Sequence, residues 1–179
     1  MMKLCKGVEK NTKVVLSGDG ADELFGGYER DRIALSRYKI IEKIPKFIRK
    51  NLSKIFIPKL SKYLQIENVS ELRMILMGTP PSIAKSKTTV INPEDNAFLE
   101  LLLFEQKIYL RSVLAKVDAA SMRYSLEVRV PYLSNLITNY ISQKNYMNFL
   151  NNPLKYELKE LLKIFTSRKY AYLDKRGLN

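Results

Sequence analysis

The sequence has a single cysteine, Cys5, which excludes an internal disulfide and agrees with a reducing compartment. No apolar run approaches the roughly 18 residues that a membrane-spanning helix needs. The opening Met1-Met2-Lys3-Leu4-Cys5-Lys6 has no apolar core, which excludes a secretory signal there. Internal repeats and low-complexity tracts are absent. Histidine and tryptophan are absent too, while Lys, Ile, Asn and Tyr abound, a bias of the kind a whole proteome imposes. The chain is therefore read as cytoplasmic. Its 179 residues suit one domain, ample for a core and short for an enzyme that handles two substrates.

Acidic residues are scarce: 18 Asp and Glu face 31 Lys and Arg, a formal net charge of +13. Such a surplus favours a polyanionic partner, whether nucleic acid, membrane surface or nucleotide phosphate. Much of it lies between Lys39 and Lys62, where basic residues alternate with Ile, Phe and Leu. Amphipathic surface helices, broken at Pro45 and Pro58 with lysines on the wet face, explain that segment. This reading is preferred to a nucleic-acid patch, because the aromatic residues that single-strand binders interleave are missing.

Thr12 to Leu16 is a short β-branched and apolar run that reads as a buried strand. The tight glycine turn Ser17-Gly18-Asp19-Gly20 follows, and then a helical pattern from Ala21, with Gly26-Gly27 a weak spot near its start. Residues 80–93 are polar and proline-bearing, as in a loop. Ala97 to Leu114 is apolar on several faces and reads as the central buried helix. Asp118 can cap a further helix. Leu126 to Pro131 alternates like an extended segment, and stripes at Leu136–Ile141 and Leu154–Phe165 read as helices. The sum is mostly helical with one convincing strand. A lone strand leaves its backbone groups unpaired, and nothing before it can pair with it. The sequence is therefore expected to begin inside a larger α/β domain.

The richest stretch is Ser17-Gly18-Asp19-Gly20-Ala21-Asp22-Glu23. A strand that passes through a glycine turn into a helix points free amides at one spot, which suits phosphate. Three acidic residues there make sense if Mg²⁺ bridges them to that phosphate. The plainer alternative is that Asp19 or Asp22 is a helix N-cap and the glycines only make the turn. The turn is not the Ser-Gly-Gly-x-Asp-Ser loop of ATP pyrophosphatases: Asp19, Ala21 and Asp22 replace its Gly, Asp and Ser. No other segment supplies that loop.

Val14 to Arg30 resembles a signature of the asparagine synthetase family's synthetase domain. Lys116-Val117-Asp118-Ala119-Ala120-Ser121-Met122 with Ser125-Leu126-Glu127-Val128-Arg129-Val130-Pro131-Tyr132-Leu133 is similar to a second family block, K-V-D-R-x-S-M and S-L-E-x-R-x-P-F-L-D. A weaker third block, Lys155 to Leu162 and then Asp174 to Leu178, resembles the family's K-x-x-L-[KR] helix and K-R-G-F. The blocks keep the family order.

The resemblance implies a fold: the C-terminal, mostly helical portion of an α/β ATP-pyrophosphatase-type (adenine nucleotide α-hydrolase-like) domain, with one edge strand near the N-terminus. Residues 1–179 would form a partial synthetase domain without the glutaminase domain or the ATP loop. It also implies a reaction. The aspartate side chain attacks the α-phosphate of ATP to give an acyl-adenylate and pyrophosphate, and ammonia from glutamine then displaces AMP. Ser17, Gly18, Asp19, Gly20 and Glu23 would lie at the nucleotide and pyrophosphate, Asp22 at Mg²⁺, and Asp118 near the amino-acid substrate. Asp19, Asp22 and Lys175 would serve catalysis, Lys175 as a cation for the phosphates. Glu127 and Arg129 are expected to form a structural ion pair.

Departures from the pattern are Ser134 in place of Asp and Leu178 in place of Phe. Cys5 does not follow the first methionine, as the glutaminase nucleophile would, and is expected to be inert. The chain is read as a truncated synthetase: an excised piece, the second half of a split gene, or a decayed gene. It should be inactive alone and work with a complementing N-terminal half or as a homodimer. Two alternatives stay open: an amide-forming relative in peptide, β-lactam or surface-sugar biosynthesis, and a non-catalytic basic helical binding protein.

Overall fold

Val14 and Val15 are β-branched, and with Leu16 they form strand β1 (Val14–Leu16) in the computed structural model. The structure describes residues 1–55, 58–80, 82–84, 97–145 and 147–173. The partner of β1 comes from far along the chain. Strand β2 (Glu127–Arg129) runs parallel to it, with Val15 opposite Val128. The Ser17 amide donates to Arg129 O at 2.9 Å and the Glu127 amide to Lys13 O at 2.8 Å, which extends the pairing at both ends. The expected lone strand is thereby corrected. A parallel pair needs a long crossover, so the partner follows β1 by more than a hundred residues instead of preceding it. The strand is also less buried than expected. Val14 and Leu16 are exposed, because two strands leave both edges open and little covers this face.

Helices make up most of the rest, and their ends follow the sequence. After α1 (Met2–Val8) and β1, the helical pattern from Ala21 divides at Gly26-Gly27 into α2 (Ala21–Leu24) and α3 (Glu29–Glu42). Pro45 precedes α4 (Lys46–Ile55), and Pro58 opens α5 (Pro58–Leu64), where its missing N–H costs nothing. Asn68 caps α6 (Val69–Leu76) by accepting from the Glu71 amide at 2.8 Å. Beyond it lie α7 (Ala97–Phe104), a π-helical turn (Glu105–Tyr109) and α8 (Leu110–Met122). These three run as one rod, longer than the expected central helix. Asp118 lies in the middle of α8 and caps nothing, which corrects its reading as a helix start. Four short helices complete the described chain: α9 (Asn135–Ser142), α10 (Met147–Asn151), α11 (Tyr156–Phe165) and α12 (Arg168–Ala171). Residues 85–96, which include most of the expected loop, fall outside the described residues.

The core gathers Leu24 from α2 and Phe25 just after it, Leu35 from α3, Val69 from α6, and Phe98 and Leu101 from α7. The acidic turn after β1 therefore rests directly on the core. Beside it sits a buried ionic cluster. The Arg73 guanidinium, 1% exposed, donates to Asp31 Oδ1 at 2.6 Å and to Glu105 Oε1 at 2.7 Å. Burial, reinforced by the Asp31 charge, pushes the Glu105 carboxyl up to about 7 although Arg73 opposes the shift. No described helix is long and apolar enough to cross a membrane.

Candidate functional site

From β1 the chain turns through Ser17-Gly18-Asp19-Gly20 and closes on itself. The Ser17 hydroxyl donates to the Asp19 carboxylate, and the Asp19 amide donates to Ser17 Oγ at 3.3 Å. Gly20 is the N-cap of α2 at φ 86°, and a Cβ there would lie 2.6 Å from Leu133 Cδ2. Backbone conformation and space both require glycine. Neither Asp19 nor Asp22 caps the helix, so the capping alternative fails: Gly20 holds that position and no side chain bonds to it. A Cβ on Gly18 would meet no described atom within 4 Å, which leaves this backbone open to a ligand. With only four residues, α2 adds little dipole to that opening.

The three acids of the turn diverge. Asp19 stays half-buried with Ser17. Asp22 Oδ1 takes an ion pair from Lys155 Nζ at 2.9 Å, with both side chains about one-fifth exposed. Glu23 is buried and accepts from the Tyr28 hydroxyl at 2.6 Å. Burial, that bond and the Glu23 charge together push the Tyr28 phenol well above its ordinary range. Arg30 stacks between Tyr28 and Tyr109, 3.8 and 4.5 Å from the ring centres. The Glu23 side chain is thus committed to this inner aromatic layer, while Asp19 and Asp22 remain at the turn.

Lys155, which no site reading of the sequence singled out, is held with unusual care. It is the N-cap of α11 with φ 55°, a left-handed conformation that costs a non-glycine residue roughly 1–2 kcal/mol. The Gly26-Gly27 break makes room for it. A Cβ on Gly27 would stand 2.5 Å from Lys155 Cε and closer still to Asp22 Oδ1. Two cavities flank the pair. One of about 400 Å³ is lined by Gly18, Ala21, Tyr132, Lys155 and Lys159 among others. Another of about 490 Å³ includes Gly27, Tyr28, Arg30, Lys155 and Lys159 in its wall. Lys155 and Lys159 are one helical turn apart on α11 and border both. The signal for them was present in the sequence as the first and fifth residues of the third block.

Other predicted residues lie elsewhere. Asp118 is exposed on α8, outside the described lining of either cavity. Lys175, with Asp174 and residues 176–178, lies outside the described residues. Glu127 and Arg129 form the expected ion pair, 2.8 Å apart and largely exposed. Among the described residues no three Asp, Glu, Cys or His side chains converge on a metal position. Mg²⁺ commonly takes one or two protein carboxylates and completes its shell with phosphate oxygens and water. Asp19 and Asp22 fit that donor set, with Asp22 shared with Lys155.

Known proteins are similar to the chain in sequence along much of its length. A Mycobacterium bovis protein and a Mycobacterium tuberculosis protein, each named "Putative asparagine synthetase [glutamine-hydrolyzing]", are 31% identical over 150 residues, 69% of this chain. A Bacillus subtilis protein, "Asparagine synthetase [glutamine-hydrolyzing] 1", is 27% identical over 183 residues, 88% of this chain. The match spans only 23% of the mycobacterial proteins and 29% of the Bacillus protein. No solved structure matches the chain. The family model described as asparagine synthase matches residues 1–179, the whole length, and the chain belongs to the asparagine synthase family.

Proposed function

We propose that this chain supplies the phosphate-facing part of the synthetase site in an ATP-dependent ligase that converts aspartate to asparagine. The observation that carries this reading is that Gly18 and Ala21 share the wall of one cavity with Lys155 and Lys159. The two ammonium groups and the uncrowded Gly18 backbone suit an anion, and Asp22, paired with Lys155, sets a carboxylate beside it. A bare anion site would exclude acids, whereas a metal–phosphate site uses both signs.

In this reading the aspartate β-carboxylate attacks the α-phosphorus of ATP. The bond to the β-phosphate oxygen breaks and pyrophosphate leaves. Ammonia, released from glutamine elsewhere in the whole protein, then displaces AMP from the acyl-adenylate. Lys155 and Lys159 hold the leaving pyrophosphate and offset its growing charge. The Gly18 amide orients it, and Lys155 in turn keeps Asp22 fixed. When bound, Mg²⁺ screens the phosphate charge, with Asp19 and Asp22 as its protein ligands. The Ser-Gly-Gly-x-Asp-Ser loop occurs nowhere in this sequence. In this reading a complementing N-terminal half supplies that loop, and without it the chain does not turn over.

ATP–pyrophosphate exchange with aspartate and Mg²⁺ tests this, on the chain alone and mixed with the N-terminal half of a family member. Exchange is expected only in the mixture, lost in Asp19→Asn and reduced about a hundredfold in Lys155→Ala. Glu42→Gln, exposed at the end of α3, should behave like the parent. Equal exchange in the parent and the Lys155 variant would remove the lysine from the site. A mixture that exchanges with another acid and not with aspartate would replace the substrate.

A further inference from the structure

A second basic cavity lies away from the acidic turn, between α4 and the segment that follows α5. It holds about 430 Å³, within the size range of small-ligand sites. Lys46, Arg49, Lys50 and Lys54 line it, and Glu67 is the carboxylate in its described lining. The lysines recur every four residues and so form one stripe along α4, with Arg49 and Ser53 beside it. Like charges at that spacing repel, and Lys46 in the first turn also opposes the helix dipole, with no acidic residue there to offset it. The stripe fits the wet face of an amphipathic helix, but its mutual repulsion is relieved only by an anion.

Arg49 supplies the independent observation. Although the other basic side chains of α4 that line the cavity are exposed, Arg49 is only 6% exposed and turns into the protein. Its Nη1 donates to Ile66 O at 2.8 Å, which anchors α4 to the residues after α5. Its Nε is enclosed by the protein, with no hydrogen-bond partner among the described residues. A buried guanidinium in a cavity wall with part of its hydrogen-bonding capacity unused costs free energy, which a nearby anion offsets.

We infer that this cavity binds a small phosphorylated anion, held by the charge of Arg49 and by the lysine stripe. Four cations against one carboxylate match a multiply charged phosphate better than a singly charged carboxylate, and guanidinium favours phosphate geometry. The charge of the lining matches an oligophosphate, whose several anionic oxygens the four cations offset. The inference does not depend on the synthetase reading, since none of these residues borders the turn.

The test is calorimetric titration of the whole chain with inorganic pyrophosphate in EDTA at low salt, where metal-dependent binding at the acidic turn is silent. One saturable site is expected. Lys46→Gln with Lys50→Gln should weaken it about tenfold or more, since two of four cations are removed from exposed positions without loss of packing. Glu67→Gln should tighten it about two- to fivefold, an effect of the opposite sign that structural damage would not produce. Affinity in the double lysine variant within about twofold of the parent overturns the proposal. So does an affinity that falls in Lys155→Ala but not in the lysine variant.

Discussion

At Gly27 one absent methyl group decides whether Asp22 and Lys155 can meet, since a Cβ would overlap both side chains. Gly27→Ala should therefore separate the pair and destabilise the chain by about 1–2 kcal/mol. Chemical denaturation measures the loss, and unchanged stability would show that the side chains move aside freely. Glu105 makes a prediction about pH. Its carboxyl is raised to about 7 in the folded state by burial first and the Asp31 charge second. The folded chain then holds a proton that the unfolded chain releases near 4.5, its ordinary value. Stability from this group is complete below that value and is lost as pH rises through about 7. Urea midpoints should fall across that window, and Glu105→Gln should flatten the fall. An equally steep fall in the variant would assign it to other groups.

Elements carry the site only because two short strands pair. The amides of Ser17 and Glu127 extend the pairing beyond both ends of β1, and the acidic turn starts where β1 stops. Glu127→Pro removes the amide that bonds to Lys13 O and should cost about 3 kcal/mol, with the turn displaced although no site residue is altered. Glu127→Gln keeps the amide and breaks only the exposed pair with Arg129, so it should cost under about 1 kcal/mol. Thermal melts of the two variants separate backbone pairing from side-chain charge. Similar losses in both would mean that the ion pair matters more than the ladder. Between the strands, the π-helical turn at Glu105–Tyr109 brings Glu105 onto Arg73 and Tyr109 onto Arg30, the sort of detour such turns often make at special sites.

Among the described residues several large apolar side chains stand in water. Leu16, Leu136, Ile164 and Phe165 are each at least 74% exposed, and they lie on β1, α9 and α11. Exposed apolar surface and open strand edges favour association. The isolated chain should therefore elute from a sizing column as concentration-dependent oligomers. Leu136→Lys with Phe165→Lys should shift it toward monomer without lowering helicity. A parent chain that stays monomeric at all concentrations would show that these side chains are tolerated in water.

Local chemistry was legible in the sequence because it depends on near neighbours. Pro45, Pro58 and the Gly26-Gly27 pair mark helix ends wherever they occur, and the β-branched run before a glycine turn reads as a strand into a tight bend. The order of the three blocks identified the family without any contact between them. Contacts across the fold were beyond the reach of such rules. The partner of β1 was missed because parallel strands pair over a long crossover, whose length carries no periodic signal. Asp118 was misread because a capping residue type and a mid-helix residue look alike until the helix around them is seen. Lys155 stood in the sequence as one lysine among many. Only tertiary structure sets it over Gly27 in a left-handed conformation against Asp22, since that position depends on packing between residues more than a hundred apart.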